Sequence, residues 1–193
     1  KDALKDKPNL SIYLDSLDFK NYQENISGVS ERLKIRIRWY GSSLGMIKKP
    51  ILELKMKKGD LGKKLVFSLK PFKFDNSFSY EKLKQVFLNS NLPDWILEKL
   101  KFYFPKLFNF YTRKYFISSN KKYRITLDKD LVFYKINEDN NNFSEKVKED
   151  EKIVLELKYS LEYSSGAQQI SQEFNSRLTA NSKYCSGISL LGL

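Results

Sequence analysis

Arg36 and Arg38 are separated by one residue, so in extended backbone their guanidinium groups project from the same side, with Lys34 just before them on that side. Paired forked donors of this kind match the oxygens of phosphate groups, and the compact ammonium groups of Lys55 and Lys158 add point charges. Arg113 and Arg124 repeat the chemistry later in the chain. Each of the two lysines follows a glutamate by two positions, Glu53 before Lys55 and Glu156 before Lys158, so each glutamate shares a strand face with its lysine. A carboxylate among phosphate-binding cations suits a divalent cation, Mg²⁺ or Mn²⁺, shared with phosphate oxygens. Ion pairing with neighbouring basic residues accounts for Glu53 and Glu156 equally well.

The chemistry open to the chain is narrow. Its 193 residues contain no histidine, which removes the commonest general base near neutral pH and any phosphohistidine. The single Cys185 excludes an internal disulfide or a Cys-based zinc site and fits a reducing, cytoplasmic compartment. We read it as a small buried side chain rather than a nucleophile. With 35 Lys and Arg against 23 Asp and Glu, the net charge of +12 points to a polyanionic partner. Hydrophobic residues at 41% and aromatics at 15% supply a core for one domain over 1–193. No apolar run reaches the roughly 18 residues of a membrane span. The segment GDLGKK at 59–64 lacks the spacing of a Walker phosphate loop.

The elements that must position these residues follow from period. Segment 32–40 alternates without a break, Leu33, Ile35, Ile37 and Trp39 against Arg32, Lys34, Arg36 and Arg38. Segments 51–58, 122–136 and 152–159 repeat the device, and 11–15, 63–69 and 112–118 read as further strands. Helical spacing over 79–104, broken at Pro93, predicts two helices, and 167–180 a third. The polar stretch 137–150 reads as an exposed loop, and 102–111 as core and a helix-to-strand connection. Asp128 shares a face with Arg124 and would pair with it, while Asp15 and Asp18 read as turn residues. Because the helices also need apolar surface to cover, one arrangement satisfies every face: an α+β fold whose antiparallel sheet closes into a tunnel or barrel, charges inside and helices outside. Such a charged interior must hold water or anions.

The stretch 11–41, LELK at 52–55 followed by GDLGKK, YTRKYF at 111–116, YRITLD at 123–128, LELKY at 155–159 and NSKYCSG at 181–187 occur in the order seen in VTC domains. The chain resembles the polyphosphate polymerase domain of the triphosphate tunnel metalloenzyme superfamily from Ser11 to Gly187. The resemblance implies a β tunnel binding a nucleoside triphosphate and inorganic polyphosphate or triphosphate, with a divalent metal on Glu156. By matching position, Arg36, Arg38, Lys55, Arg113, Arg124 and Lys183 would grip phosphates, with one of Lys63 and Lys64, preferably Lys64. Lys158 joins them from its shared face with Glu156. The expected reaction is phosphoryl transfer to a polyphosphate chain. Hydrolysis of triphosphate or of an RNA 5′ end, or polyphosphate binding without turnover, are the alternatives. Accessory domains or membrane subunits are implied partners, and nucleic acid is not expected. Family members carry an earlier strand before the YLDS segment, so a tunnel built from these residues alone is expected to lack one wall.

Overall fold

The computed structural model describes residues 4–59, 61–174 and 179–193. The chain runs β1 (Leu4–Asp15), α1 (Lys20–Ile26), β2 (Glu31–Trp39), β3 (Gly45–Ile47), β4 (Ile51–Lys58), β5 (Leu61–Ser68) and β6 (Phe72–Phe74). It continues through α2 (Tyr80–Asn89), α3 (Asp94–Leu100), β7 (Phe104–Ile117), β8 (Tyr123–Lys135), β9 (Lys146–Glu149), β10 (Val154–Tyr159), α4 (Ser164–Gln172) and α5 (Lys183–Leu191). The fold is mixed α+β, with one main antiparallel sheet in the order β10-β8-β7-β1-β2-β4-β5, β9 added on β8, and a separate β3-β6 pair.

The seven expected strands are all present, some longer than their pattern suggested. The strand expected over 11–15 begins at Leu4, and that expected over 112–118 begins at Phe104. Segment 102–111, read as a connection, is therefore mostly β7, because aromatic residues on both of its faces hide the alternation. β9 occupies part of the expected 137–150 loop, and α4 ends at Gln172, short of the expected helix over 167–180. Leu178, on which that expectation partly rested, lies outside the described residues.

The strict alternation of β2 sends Ile35, Ile37 and Trp39 into the core with at most 2% exposure. They pack with Leu10, Ile12, Leu52, Leu54 and Phe108 from neighbouring strands. The same cluster takes Phe72 and Phe74 from β6, Leu83 and Phe87 from α2, and Ile96 and Leu100 from α3. Ser79 caps α2 by accepting from Lys82 N at 3.3 Å, and Pro93 precedes α3, so both helices start where sequence signals place them. Each such buried apolar side chain contributes about 1.5 to 3 kcal/mol. This face fixes the register, since a slip by one residue would turn every arginine of β2 into the core.

The expected closed tunnel is not formed among the described residues, because β5 and β10 are both edges of an open sheet. After β5 the chain leaves for β6 and the apolar cluster, and after β10 it turns into a 3-10 turn at Leu161–Tyr163 and then α4. Neither edge therefore finds a further strand. The sheet is nevertheless strongly coiled. Six inter-strand steps of about 4.8 Å would hold β5 and β10 about 29 Å apart across a flat sheet, yet side chains of both line one cavity. Helices α2 and α3 cover the apolar face as expected. Helix α5 departs from that expectation, packing Tyr184 and Ile188 on Tyr13, Leu107, Tyr111 and Phe133 of the opposite, charged face.

Candidate phosphate-binding cavity

The faces of β2, β4, β5, β7, β8 and β10 opposite the apolar cluster, together with the start of α5, enclose a cavity of about 650 Å³. All ten residues singled out from sequence line it: Arg36, Arg38, Glu53, Lys55, Lys64, Arg113, Arg124, Glu156, Lys158 and Lys183. Lys34 and Asp128 join them, giving nine cationic side chains against three carboxylates.

The register explains how the cations come together. Lys34 of β2 lies opposite Lys55 of β4, which lies opposite Lys64 of β5, a row of three ammonium groups across three strands. Like charges directly opposed destabilise a sheet unless an anion lies between them. One rung further along, Arg36 is opposite Glu53. The Glu53 side chain is 3% exposed and receives Arg36 Nη2 at 2.6 Å, Arg38 Nη2 at 2.8 Å and Lys64 Nζ at 2.6 Å. Burial alone would raise its carboxyl, but Arg36, Lys64 and Arg38 outweigh that and hold it below the ordinary range. Three cations occupy both oxygens, so Glu53 is the ion-paired residue of the two readings and not a free metal ligand. It holds the arginines in place.

Glu156 differs. Its side chain is 45% exposed in the cavity, with Lys158 Nζ at 3.3 Å and Arg113 Nη2 at 4.0 Å. Mg²⁺ and Mn²⁺ are commonly held by one or two carboxylates plus phosphate oxygens, and this open carboxylate fits that donor set. Among the described residues no group of three or more acidic or thiol ligands exists to hold an ion without substrate.

Asp128 pairs otherwise than its spacing suggested. It faces the cavity as Arg124 does, but it is fully buried and accepts from Arg113 Nε at 2.5 Å and Nη2 at 2.6 Å, with Lys183 Nζ also at 2.5 Å. Arg124 is exposed. The β7–β8 register decides this, placing Arg113, not Arg124, opposite Asp128. Lys183 arrives from the first turn of α5, which Ser182 caps by accepting from Cys185 N at 3.4 Å. Burial lowers its pKa and the facing Asp128 opposes the shift. Burial likewise lowers Lys34, and neighbouring Lys55 and Arg36 push the same way. Lys34 Nζ donates to Ser182 Oγ at 2.8 Å. Tyr111 lies under both Arg113, at 5.3 Å, and Lys183, at 4.6 Å, adding cation–π attraction.

Reasoning from sequence gave Asp128 the wrong partner and missed the α5 helix and Thr126. Thr126 is 1% exposed, lies opposite Glu156 and lines the cavity with a buried hydroxyl that has no hydrogen-bond partner among the described residues. Its shared face with Arg124 was the available signal. Cys185 lies in the first turn of α5 and is half-buried rather than buried.

No curated protein sequence is significantly similar to the chain. Among solved structures, a putative adenylyl cyclase, HpAC1 from Hippeastrum, described as revealing a dominant triphosphatase activity, shares the fold at a TM-score of 0.50 and 13% identity, over 97% of this chain and 84% of that one. The fold is thus one already seen among solved structures. The sequence model of the VTC domain matches residues 3–192, the span that builds both the apolar face and the cationic cavity, and the chain belongs to the VTC domain family.

Proposed function

We propose that the cavity transfers the γ-phosphoryl group of a nucleoside triphosphate to the terminal phosphate of an inorganic polyphosphate chain. The observation that carries this reading is the concentration of nine cations and three carboxylates in one cavity, with Lys34, Lys55 and Lys64 opposed across three strands. Only a dense polyanion balances such a site, and membership of the VTC family favours a phosphate chain.

An oxygen of the chain's terminal phosphate attacks the γ-phosphorus in line, the bond from γ-phosphorus to the β–γ bridging oxygen breaks, and nucleoside diphosphate leaves with that electron pair. The attacking oxygen is already ionised, so no histidine is needed. Arg36, Arg38, Lys55, Arg113, Arg124 and Lys158 contact the reacting phosphates, and Lys64 and Lys183 hold the remainder. Donors preset where charge develops contribute about 3 to 4 kcal/mol each to lowering the barrier. Glu156 would hold a divalent cation together with phosphate oxygens, and that ion, when bound, neutralises charge on the transferring group. Glu53 and Asp128 keep Arg36, Arg38 and Arg113 aimed into the cavity.

The test is incubation of the protein with ATP and Mn²⁺, with products separated on a gel. A ladder of lengthening chains is expected. Orthophosphate alone would replace this reading with a hydrolase, and tight polyphosphate binding without ATP consumption would replace it with a binding module.

A further inference from the structure

A second cavity of about 490 Å³ opens beside the first, between the end of α1, the start of β2, β4 and the first turn of α5. The two share Lys34, Lys55, Asn181 and Ser182 as a common wall. Beyond that wall the second cavity adds Arg32 and Lys57, and no carboxylate lines it among the described residues.

The same two strands show what ordinary charge placement looks like. On the opposite face of the β2–β4 pair, Glu31 lies across from Lys58 and the two form an ion pair at 2.7 Å. On the cavity face Arg32 lies across from Lys57, and the next rung inward is Lys34 across from Lys55. Two successive like-charge rungs oppose sheet pairing unless an anion offsets them, and their side chains are within reach of one, Lys55 and Lys57 being exposed and Arg32 and Lys34 half-buried. The first turn of α5, capped by Ser182, adds the positive end of a helix dipole at the shared wall.

Distance separates this rung from the main site. The Arg32–Lys57 rung and the Arg36–Glu53 rung are four positions apart along the strand, a span of about 13 Å at about 3.3 Å per residue. That exceeds the Debye length of about 8 Å at physiological ionic strength. A short anion gripped by Arg36, Arg38 and Arg113 therefore gains little from Arg32 and Lys57.

Resting on the proposed function, we propose that this second cavity is a chain-length-sensing subsite, in which Arg32 and Lys57 hold further phosphates of a polyphosphate whose end occupies the main cavity. The lysines of the shared wall bridge the two. The site thus discriminates a long phosphate chain from triphosphate by contacts available only to the longer ligand.

The experiment measures binding of tripolyphosphate and of long-chain polyphosphate to the full chain at several salt concentrations, for the wild type and the double variant Arg32→Gln, Lys57→Gln. Losing two phosphate contacts should reduce the salt slope for polyphosphate by about 1.4 and weaken its binding about tenfold, with tripolyphosphate unchanged within about twofold. Arg32→Lys, which keeps the charge, should retain wild-type binding of both. An equal loss for both ligands would overturn the proposal, reducing the rung to a diffuse field, and so would no loss for either. Single-stranded oligothymidylate losing as much affinity as polyphosphate would overturn the assignment to phosphate chains. Failure of the wild type to bind tripolyphosphate would sink the proposed function, and this subsite with it.

Discussion

Replacing Asp128 by Asn removes one negative charge from beneath two cations and changes little else in volume. The Asp128 side chain is 1% exposed, and its partners Arg113 and Lys183 are 14% and 12% exposed, so water cannot take over the lost role. Breaking a buried ion pair on one side costs about 3 to 5 kcal/mol. For a chain of this size each kcal/mol shifts the melting temperature by about 2 to 4 °C, so Asp128→Asn should lower it by about 6 to 20 °C. The same reasoning gives a second, sharper expectation. Tripolyphosphate can supply the missing negative charge, so it should raise the variant's melting temperature more than the wild type's. Thermal denaturation with and without excess tripolyphosphate reads both. A variant that melts within about 2 °C of the wild type, or that gains no more from the ligand, refutes the view that Asp128 is the countercharge of an anion site.

Three further outcomes follow from the same geometry. Glu53→Gln should destabilise the apo protein by about 3 to 5 kcal/mol in denaturant titrations, since it leaves Arg36, Arg38 and Lys64 unopposed, whereas Glu156→Gln should barely change stability but abolish metal-dependent turnover while retaining polyphosphate. Gly187→Ala would place a Cβ 2.5 Å from Leu107 Cδ2 and 2.6 Å from Phe133 Cδ1, so these buried side chains or α5 must shift, costing about 1 to 3 kcal/mol, and any shift of α5 should weaken phosphate retention through Lys183 on a filter assay. Burial lowers Lys34 and Lys183 from the ordinary 10.5, so these groups lose charge on the alkaline side before an exposed lysine does. Tripolyphosphate affinity should therefore fall as pH rises toward 10.5, while the folded state's own penalty for burying those charges is relieved. Lys34→Arg should hold affinity to higher pH in the same titration.

Period made much of this legible. Alternation along 32–40 separated Arg36 and Arg38 from Ile35, Ile37 and Trp39 because side chains on a strand have only two directions to take. The same arithmetic placed Glu156 with Lys158 and Arg124 with Asp128. It failed where both faces of an element carry bulk, as in the aromatic run that became β7, and where an element is short or rich in small residues, as in α5 with Ser186 and Gly187. It also misjudged closure. Local alternation says which way a side chain points but not whether the last strand meets the first, and here β5 and β10 remain edges.

The sequence by itself determined the balance of charge, the absence of histidine and therefore of its acid–base chemistry, and the division of each strand into an apolar and a cationic face. These are properties of composition and of neighbours two residues apart. Tertiary structure alone decided which carboxylate serves which purpose. Glu53 and Glu156 sit in near-identical local contexts, LELK and LELKY, yet strand order puts the first on β4 under three cations and the second on the edge strand β10, open to the cavity. Partners drawn from strands far apart in the chain set the electrostatics of each, and register, not local spacing, chooses those partners.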